Sequence, residues 1–196
     1  YKDARVYDTG MVTIIEIMGR HAGWLTAAAA LAGVVGCAPD LIYVPEVDFD
    51  MDKFLADVTS IYEKNGNCIV AVSEGIHYAD GSFVSEAKTS ATDGFGHAQL
   101  GGLAAMLANI VKERTGAKVR GIELSLLQRC GAHLASQTDI QESFLAGKTA
   151  VEAAVAGETD KMVGFECSRE NGYECKTKLF NLSEVANFEK KVPREC

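Results

Sequence analysis

The chain has 196 residues and a formal net charge of −8, with 47% hydrophobic and 23% charged residues. This composition is typical of one globular domain or slightly more, and it excludes a disordered tail, a collagen-like repeat and a coiled coil. The acidic balance argues against nucleic acid or an anionic membrane as the main partner. The uncharged run 24–39 is too weakly apolar to span a bilayer, and no leader that predicts secretion precedes it.

The six cysteines are even in number, but we interpret them as free thiols. Cys68 lies inside an apolar run, where a free cysteine behaves as a small hydrophobic residue. No CxxC pair occurs, which argues against a zinc ribbon, and a core of this size needs no disulfide bonds. We therefore expect a reducing, cytoplasmic location.

Short apolar runs alternate with longer amphipathic ones along the chain. Strands are predicted at Met11–Ile17, Leu41–Val44, Cys68–Val72, Lys118–Leu124, Met162–Glu166 and Tyr173–Leu179. Helices are predicted at 22–36, Asp50–Lys64 and Ala98–Arg114, from Ser136 or Thr138 to Ala156, and briefly from Ser183. The segment 76–96 is polar and rich in glycine, which indicates a long loop or a hairpin.

This alternation predicts an α/β fold, namely a three-layer α/β/α arrangement around a mostly parallel open sheet. We expect an α/β domain over residues 1–140, followed by a helix and strands over 141–196 that could belong to the same compact unit. Because the chain begins at Tyr1, almost directly before a strand, we expect it to be a piece of a longer protein. Ligands of such sheets bind at the carboxyl ends of the strands.

Candidate ligand-binding residues follow the first and third strands. Gly19 permits a tight turn, Arg20 offers a forked cation suited to phosphate, and the N–H groups of the next helix would also favour an anion. The alternative is a glycine turn with a solvated arginine. Glu74 follows the third strand and could bind sugar hydroxyls, or it could be a surface acid or a helix cap.

The fourth strand begins at Arg120, and Arg129 follows its end. Together with Arg20 these arginines suggest a phosphorylated ligand, whereas any one of them alone is more often part of a surface ion pair. His21 and His133 could contact a ligand or be satisfied core residues, and no histidine pair has the spacing of a metal site. The glycines at 94, 96, 101 and 102 follow a loop and not a strand, so they predict a loop that folds back and not a dinucleotide site.

Three blocks resemble the phosphofructokinase family. The run Ile14–Trp24 resembles its E-x-M-G-R-x-x-G block, Val70–Gly75 resembles its next sugar-phosphate segment, and Arg120 with Leu127-Gln128-Arg129 resembles the third. The blocks occur in the family's order over residues 5–165. The run 20–28 and the loop at 95–97 look closest to the branch that includes pyrophosphate-dependent members.

The resemblance implies a fructose 6-phosphate site. Its substrate-binding positions would be Met18, Gly19, Arg20, Glu74, Arg120, Leu126 and Arg129. Arg20 would also be catalytic, because it would lie near the transferred phosphoryl group and offset its charge. Glu74 would bind sugar hydroxyls and Arg129 would hold the 6-phosphate. Arg120 would reach the 6-phosphate bound by a neighbouring subunit of a homodimer or homotetramer.

The chain also departs from the family's pattern. Leu126 stands where the ATP-dependent bacterial enzymes have a histidine, and Met11 stands where they have a further cross-subunit arginine. The phosphate site therefore has fewer phosphate-binding groups, or it is completed by others such as a lysine or His133. The family's Gly-Gly-Asp donor loop and its Thr-Ile-Asp-Asn-Asp segment, which holds the catalytic base and magnesium, do not occur in the 196 residues.

The resemblance therefore implies the fructose 6-phosphate-binding portion of a 6-phosphofructokinase. Its parent would transfer a phosphoryl group from pyrophosphate or ATP to the sugar's 1-hydroxyl in glycolysis, with Mg²⁺ held outside this chain. We expect the isolated chain to be inactive. The alternative is a non-catalytic sugar-phosphate-binding or regulatory module. A Rossmann-type nucleotide site is disfavoured because no G-x-G-x-x-G follows the first strand.

Overall fold

A parallel four-stranded sheet organises the first part of the chain in the computed structural model, which describes residues 1–6, 8–85 and 102–195. Its strands are β1 Met11–Ile17, β2 Leu41–Tyr43, β3 Asn67–Ser73 and β4 Val119–Glu123. They lie in the order β2-β3-β1-β4, and every neighbouring pair is parallel. The parallel pairing and the α/β class confirm the predicted fold.

The two central strands are apolar on both faces, as expected for strands covered by helices on each side. In β1 only Ile15 is more than slightly exposed, and β3 is buried from Cys68 to Ser73. The edge strand β4 differs, because every residue after Val119 is exposed. The core of this part of the molecule is therefore centred on β1 and β3.

Three helices cover the sheet: α1 Trp24–Ala28, α2 Met51–Asn65 and α3 Leu103–Thr115. Helix α2 begins where the Asp50 carboxylate accepts the Lys53 N–H, at 2.8 Å, and it ends at Gly66. Buried residues of α2 and α3 pack together with one face of β1 and β3 around Phe54 and Leu107. A second, smaller cluster of Ala4, Met11 and Ile69 includes residues of the opposite face.

The order of the strands creates a change of direction between β1 and β3. The connection after β1 passes through α1 to β2, and the connection after β3 passes through α3 to β4, in the opposite direction along the sheet. Because such crossovers are right-handed, the two connections leave the sheet on opposite faces. The segments after β1 and β3 therefore both start at the carboxyl edge of the sheet, where ligands of open α/β sheets bind.

The predicted helix over 22–36 is only partly α-helical. The α-helical part ends at Ala28, and Ala29–Val35 form a 3-10 helix that stops at Gly36. No residue of Ala29–Val35 is buried, so tertiary packing does not enforce α-helical geometry there. The first four residues of the predicted helix Ala98–Arg114 lie outside the described residues, as do Gly94-Phe95-Gly96, His97 and Gly101.

A second compact unit spans Gly131–Phe188, whereas the first comprises Tyr1–Cys130 and Glu189–Cys196. The second unit contains α4 Gln137–Val155, the antiparallel pair β5 Lys161–Ser168 and β6 Glu174–Asn181, and α5 Leu182–Val185. The predicted division at 140/141 differs from this one, because α4 already begins at Gln137 and packs on β5 and β6. No described helix is both long and apolar enough to cross a membrane.

A buried carboxylate joins β1 to the start of α3. Glu16 is only 7% exposed, and its Oε2 accepts the Ala104 N–H at 2.9 Å. Its backbone carbonyl accepts the Leu124 N–H just beyond β4. Burial raises the pKa of Glu16 above its ordinary value of 4.5; the N–H donated by Ala104 opposes this shift, and repulsion from Glu123 and Glu74 adds to it.

We expect Glu16→Gln to change how stability depends on pH. Because the folded state binds the Glu16 proton more tightly than the unfolded state, the wild-type free energy of unfolding should fall as pH rises from 4.5 through the raised pKa. The amide introduced in the variant does not titrate, so the wild type should lose stability relative to the variant over that range. Urea unfolding followed by circular dichroism measures this difference.

Glu113→Gln is the matched control, because it removes an exposed carboxylate of α3 and so reproduces the change in net charge. The role assigned to Glu16 would be wrong if the stability of the wild type relative to Glu16→Gln rose with pH. It would also be wrong if the stability of the wild type relative to Glu113→Gln changed with pH in the same way.

Candidate functional site

Three segments that leave the sheet at its carboxyl edge form the candidate site. They are residues 18–20 after β1, residues 73–75 at the end of β3, and the 3-10 helix Ser125–Arg129 after β4. Because β1 lies between β3 and β4, the first segment is flanked by the other two. The carboxyl edge of the sheet therefore carries the residues that the sequence singled out after the first and third strands.

The turn after β1 is fastened to the end of β3 by hydrogen bonds that meet at Gly19. The Ser73 hydroxyl and the Gly75 N–H both donate to the Gly19 carbonyl oxygen, at 2.6 and 3.1 Å. The Gly19 N–H in turn donates to Oε1 of Glu74, at 3.3 Å. The Glu74 carboxylate is thus half-buried against the turn, and its second oxygen accepts no hydrogen bond from the described residues.

On the side of β4, a side chain of the 3-10 helix Ser125–Arg129 also binds the turn after β1. Oε1 of Gln128 accepts the Met18 N–H at 3.0 Å. This bond fixes the position of the residue immediately before Arg129, whose side chain is exposed. Leu126 in the same helix is 66% exposed, so it is not part of the core.

Two glycines are required for this turn to approach β3 so closely. Gly19 has φ of +154°, a conformation that other residues rarely adopt. A Cβ atom on Gly75 would lie 1.7 Å from the Arg20 carbonyl oxygen, so no side chain fits there. The backbone of residues 19–20 is therefore held directly against the backbone of residues 73–75.

The three arginines predicted to bind phosphate do not all lie at the same end of the sheet. Arg20 is half-buried and Arg129 exposed at the carboxyl edge, and among the described residues neither guanidinium has a hydrogen-bond or ion-pair partner. Arg120 pairs in register with Thr13 near the amino end of β1, and its Nη1 lies 3.2 Å from Oδ2 of Asp3. The structure therefore places Arg20 and Arg129 at the carboxyl edge without partners among the described residues, and Arg120 away from that edge.

The two histidines named from the sequence have different surroundings. His21 is exposed beside the site, with its ring centroid 6.2 Å from that of Phe83. His133 belongs to the second unit, in the 3-10 helix Ala132–Leu134. No described set of three or more His, Cys, Asp or Glu side chains is arranged to hold a metal ion.

The anion at the start of α1 is a carboxylate of the protein and not a ligand. The Gly23 N–H, immediately before α1, donates to both oxygens of Glu46, at 2.9 and 3.2 Å. Oε1 of Glu46 also accepts the Val192 N–H, at 2.9 Å. A carboxylate of the protein already occupies this end of the helix, so a second anion would be repelled there.

A cavity of about 420 Å³ lies beside α1 and β2, apart from the strand-end site. It is mostly apolar, and its lining includes Ala27, Ala30, Ile42, Val44, Val192 and Pro193. None of the hydrogen-bonded residues of the turn after β1 contributes to it. The candidate site is thus an open edge of the first unit and not this cavity.

Sequence reasoning did not assign a role to Ser73, Gln128 or Glu46. Ser73 is fully buried at the last position of β3, and a hydroxyl at the end of an otherwise apolar strand was the available signal. Gln128 and Glu46 accept hydrogen bonds from backbone N–H groups that are 110 and 23 residues away in the sequence. Nothing in the local pattern of the chain indicates such a partner.

We expect Gly75→Ala to destabilise the first unit. The new methyl group must push the 19–20 turn away from β3 and weaken the hydrogen bonds at Gly19, at a cost of about 1–3 kcal/mol for an overpacked site. Chemical unfolding monitored by circular dichroism measures the loss. Gly33→Ala is the control, since its Cβ would make an ordinary contact of 3.5 Å with Ala38. Equal stabilities of the two variants would contradict the packing seen at Gly75.

Comparisons with known proteins agree with this geometry. The family model described as "Phosphofructokinase" matches residues 4–156. The chain is 42% identical over 185 residues to the pyrophosphate–fructose 6-phosphate 1-phosphotransferase of Halomonas elongata, covering 94% of this chain and 44% of that protein. The protein of the same name from Xanthomonas campestris is 47% identical over 183 residues, covering 93% and 44%. The chain thus spans less than half the length of these relatives.

A solved structure is similar over the same extent. The pyrophosphate-dependent phosphofructokinase of Nitrosospira multiformis superposes with a TM-score of 0.75 at 38% identity, covering 93% of this chain and 42% of that one. The phosphofructokinase of Saccharomyces cerevisiae, at 22% identity and a TM-score of 0.64, shares the fold. The family match covers most of the chain and includes all three strand-end segments, so this chain belongs to the phosphofructokinase family.

Proposed function

We propose that this chain binds fructose 6-phosphate as the sugar-phosphate half of a pyrophosphate-dependent 6-phosphofructokinase that acts in glycolysis. The observation that carries the proposal is that Arg20, Arg129 and Glu74 all follow strand ends at one carboxyl edge of the sheet, where neither arginine has a partner among the described residues. The names of the relatives from Halomonas and Xanthomonas favour pyrophosphate over ATP as the donor.

The proposed roles follow from the chemistry of each group. Glu74 has one oxygen engaged by the Gly19 N–H, and the other is available to accept a sugar hydroxyl. Arg129 is exposed and forked, so it can bind the 6-phosphate through two N–H groups. Met18, Gly19 and Leu126 would form the wall against which the sugar lies.

Arg20 is the proposed catalytic residue of this half. Its carbonyl is held against Gly75, so the backbone that carries the guanidinium is fixed before substrate arrives. A fixed cation next to a transferred phosphoryl group stabilises the charge that spreads over its oxygens in the transition state, with no reorganisation cost at that moment. This is a role in which positioning matters more than acid or base strength.

Two further components of the proposal lie beyond this site. The family's Thr-Ile-Asp-Asn-Asp segment does not occur in this chain, so we place the magnesium ion of the family in another part of the enzyme. Arg120, remote from Arg129 on the same sheet, is proposed to reach a 6-phosphate bound by a second copy in a homodimer or homotetramer. A cytoplasmic location remains part of the proposal.

We expect Arg129→Ala to weaken binding of fructose 6-phosphate. Losing a charge-assisted hydrogen bond costs about 1.5–3 kcal/mol, which corresponds to a roughly ten- to 150-fold increase in Kd. Isothermal titration calorimetry on the 196-residue chain measures this. The matched control is Arg114→Ala, at the last turn of α3 toward the amino edge of the sheet, which should leave Kd unchanged. No binding by the wild type, or equal losses in both variants, would contradict the proposal.

We expect no turnover from this chain with either pyrophosphate or ATP, because its sequence lacks the family's catalytic-base segment. Formation of fructose 1,6-bisphosphate above the uncatalysed background would contradict that expectation. The alternative function, a non-catalytic module that senses a sugar phosphate, is distinguished by the full-length protein containing this chain. Turnover by that protein that is lost in Arg20→Ala supports the enzyme, and no turnover by the unsubstituted protein supports the module.

A further inference from the structure

Two cysteine side chains of the second unit face each other across β5 and β6. Cys167 pairs directly with Cys175 in the antiparallel register, and their Sγ atoms are 3.6 Å apart. Both are free thiols. Directly opposed residues of antiparallel strands have Cα atoms about 4.5 or 5.5 Å apart, and both separations lie within the range of about 4.4–6.8 Å that a disulfide bond spans. The two sulfurs can therefore bond through side-chain rotation alone.

The other cysteines of the described residues are not arranged in this way. Cys68 is fully buried in the sheet of the first unit, and Cys37 contacts the Val35 carbonyl oxygen. Cys130 is exposed, but within the described part of the chain no second thiol lies within hydrogen-bonding distance of it. Proximity to a second thiol thus singles out Cys167 and Cys175.

The surroundings of the pair leave one thiol accessible and shield the other. Cys167 is exposed and Cys175 is half-buried. The Tyr173 hydroxyl lies 3.8 Å from the Cys167 sulfur and donates to Oε1 of Glu142 on α4, at 2.6 Å. Burial, together with the hydrogen bond to Cys167, raises the pKa of the Cys175 thiol to about 11. At neutral pH we therefore expect an oxidant to react first at Cys167.

We propose that Cys167 and Cys175 form a dithiol site that reacts with low-molecular-weight disulfides, a function separate from sugar-phosphate binding. The Cys167 thiolate attacks one sulfur of the disulfide RS–SR, which forms a mixed disulfide and releases one thiolate RS⁻. The Cys175 thiolate then attacks the Cys167 sulfur and releases the second RS⁻. The two protein thiols are oxidised to one disulfide with loss of two protons, and RS–SR is reduced to two thiols.

The hairpin sequence makes the product directly measurable. Trypsin cleaves after Lys161, Arg169 and Lys176, so each cysteine falls in its own peptide, 162–169 and 170–176. We incubate the protein with oxidised glutathione, alkylate the remaining thiols, digest without reduction and analyse by mass spectrometry. The expected product is the two peptides joined, with two hydrogen atoms fewer than their sum and separated again by dithiothreitol.

Single variants test the order of the steps. In Cys175→Ser, we expect glutathione to accumulate as a mixed disulfide on Cys167, and no linked peptide. In the control Cys130→Ser, the yield of linked peptide should equal that of the wild type. The proposal is overturned if the wild type carries glutathione on both cysteines without linking them, or if Cys130 joins either cysteine as readily.

A trivalent arsenical provides a second measurement that needs no oxidation. Phenylarsine oxide binds two neighbouring thiols at once, so the wild type should retain it in the presence of excess monothiol. Cys167→Ser and Cys175→Ser should each lose at least tenfold in affinity, while Cys130→Ser should not. Equal retention by all four proteins would show that the pair does not act as one site. Circular dichroism of each variant confirms that the serine substitutions leave the fold unchanged.

Discussion

The structure of the site depends on the absence of a side chain at Gly75. Because Gly75 has no Cβ, the Arg20 carbonyl can lie against its backbone, and the turn after β1 can donate to and accept from the end of β3. Any larger residue would separate the two strand ends. This close approach gives the proposed catalytic arginine a fixed backbone, although its side chain has no partner among the described residues. Rigidity of the main chain and freedom of the guanidinium are thus combined at one residue.

The topology explains why these segments meet. β1 and β3 are adjacent and parallel, so the turn after β1 and the end of β3 lie side by side at the carboxyl edge of the sheet. Gln128, which follows β4, accepts the Met18 N–H, and Glu16 near the end of β1 accepts the Ala104 N–H at the start of α3. The turn after β1 is therefore held from both neighbouring strands by hydrogen bonds between side chains and backbone atoms.

Much of this arrangement could be predicted from local sequence, and the reasons differ from residue to residue. The β-branched run Met11–Ile17 specifies a buried strand wherever it stands, and the Asp50 cap and Gly66 delimit α2 by local chemistry. The 3-10 helix Ala29–Val35 was not predicted, because its small residues fit an α-helix equally well. The difference comes from the lack of burial, which is not visible in the local sequence. At the start of α1 the bound anion is the Glu46 carboxylate, 23 residues away from Gly23, and not a ligand. Long-range bonds of this kind have no local signal.

The stretch 189–196 gives Glu46 a further significance. The first unit consists of two stretches, 1–130 and 189–196, and the second unit is inserted between them in the sequence. The Val192 N–H that binds Glu46, and the Lys190 carbonyl that accepts the Trp24 indole N–H, are therefore synthesised only after the whole insertion. The sheet of the first unit can assemble once β4 has emerged, while the start of α1 still lacks these two bonds. Completion of the nascent first unit thus waits for the ribosome to finish the insertion, which couples the two units in time.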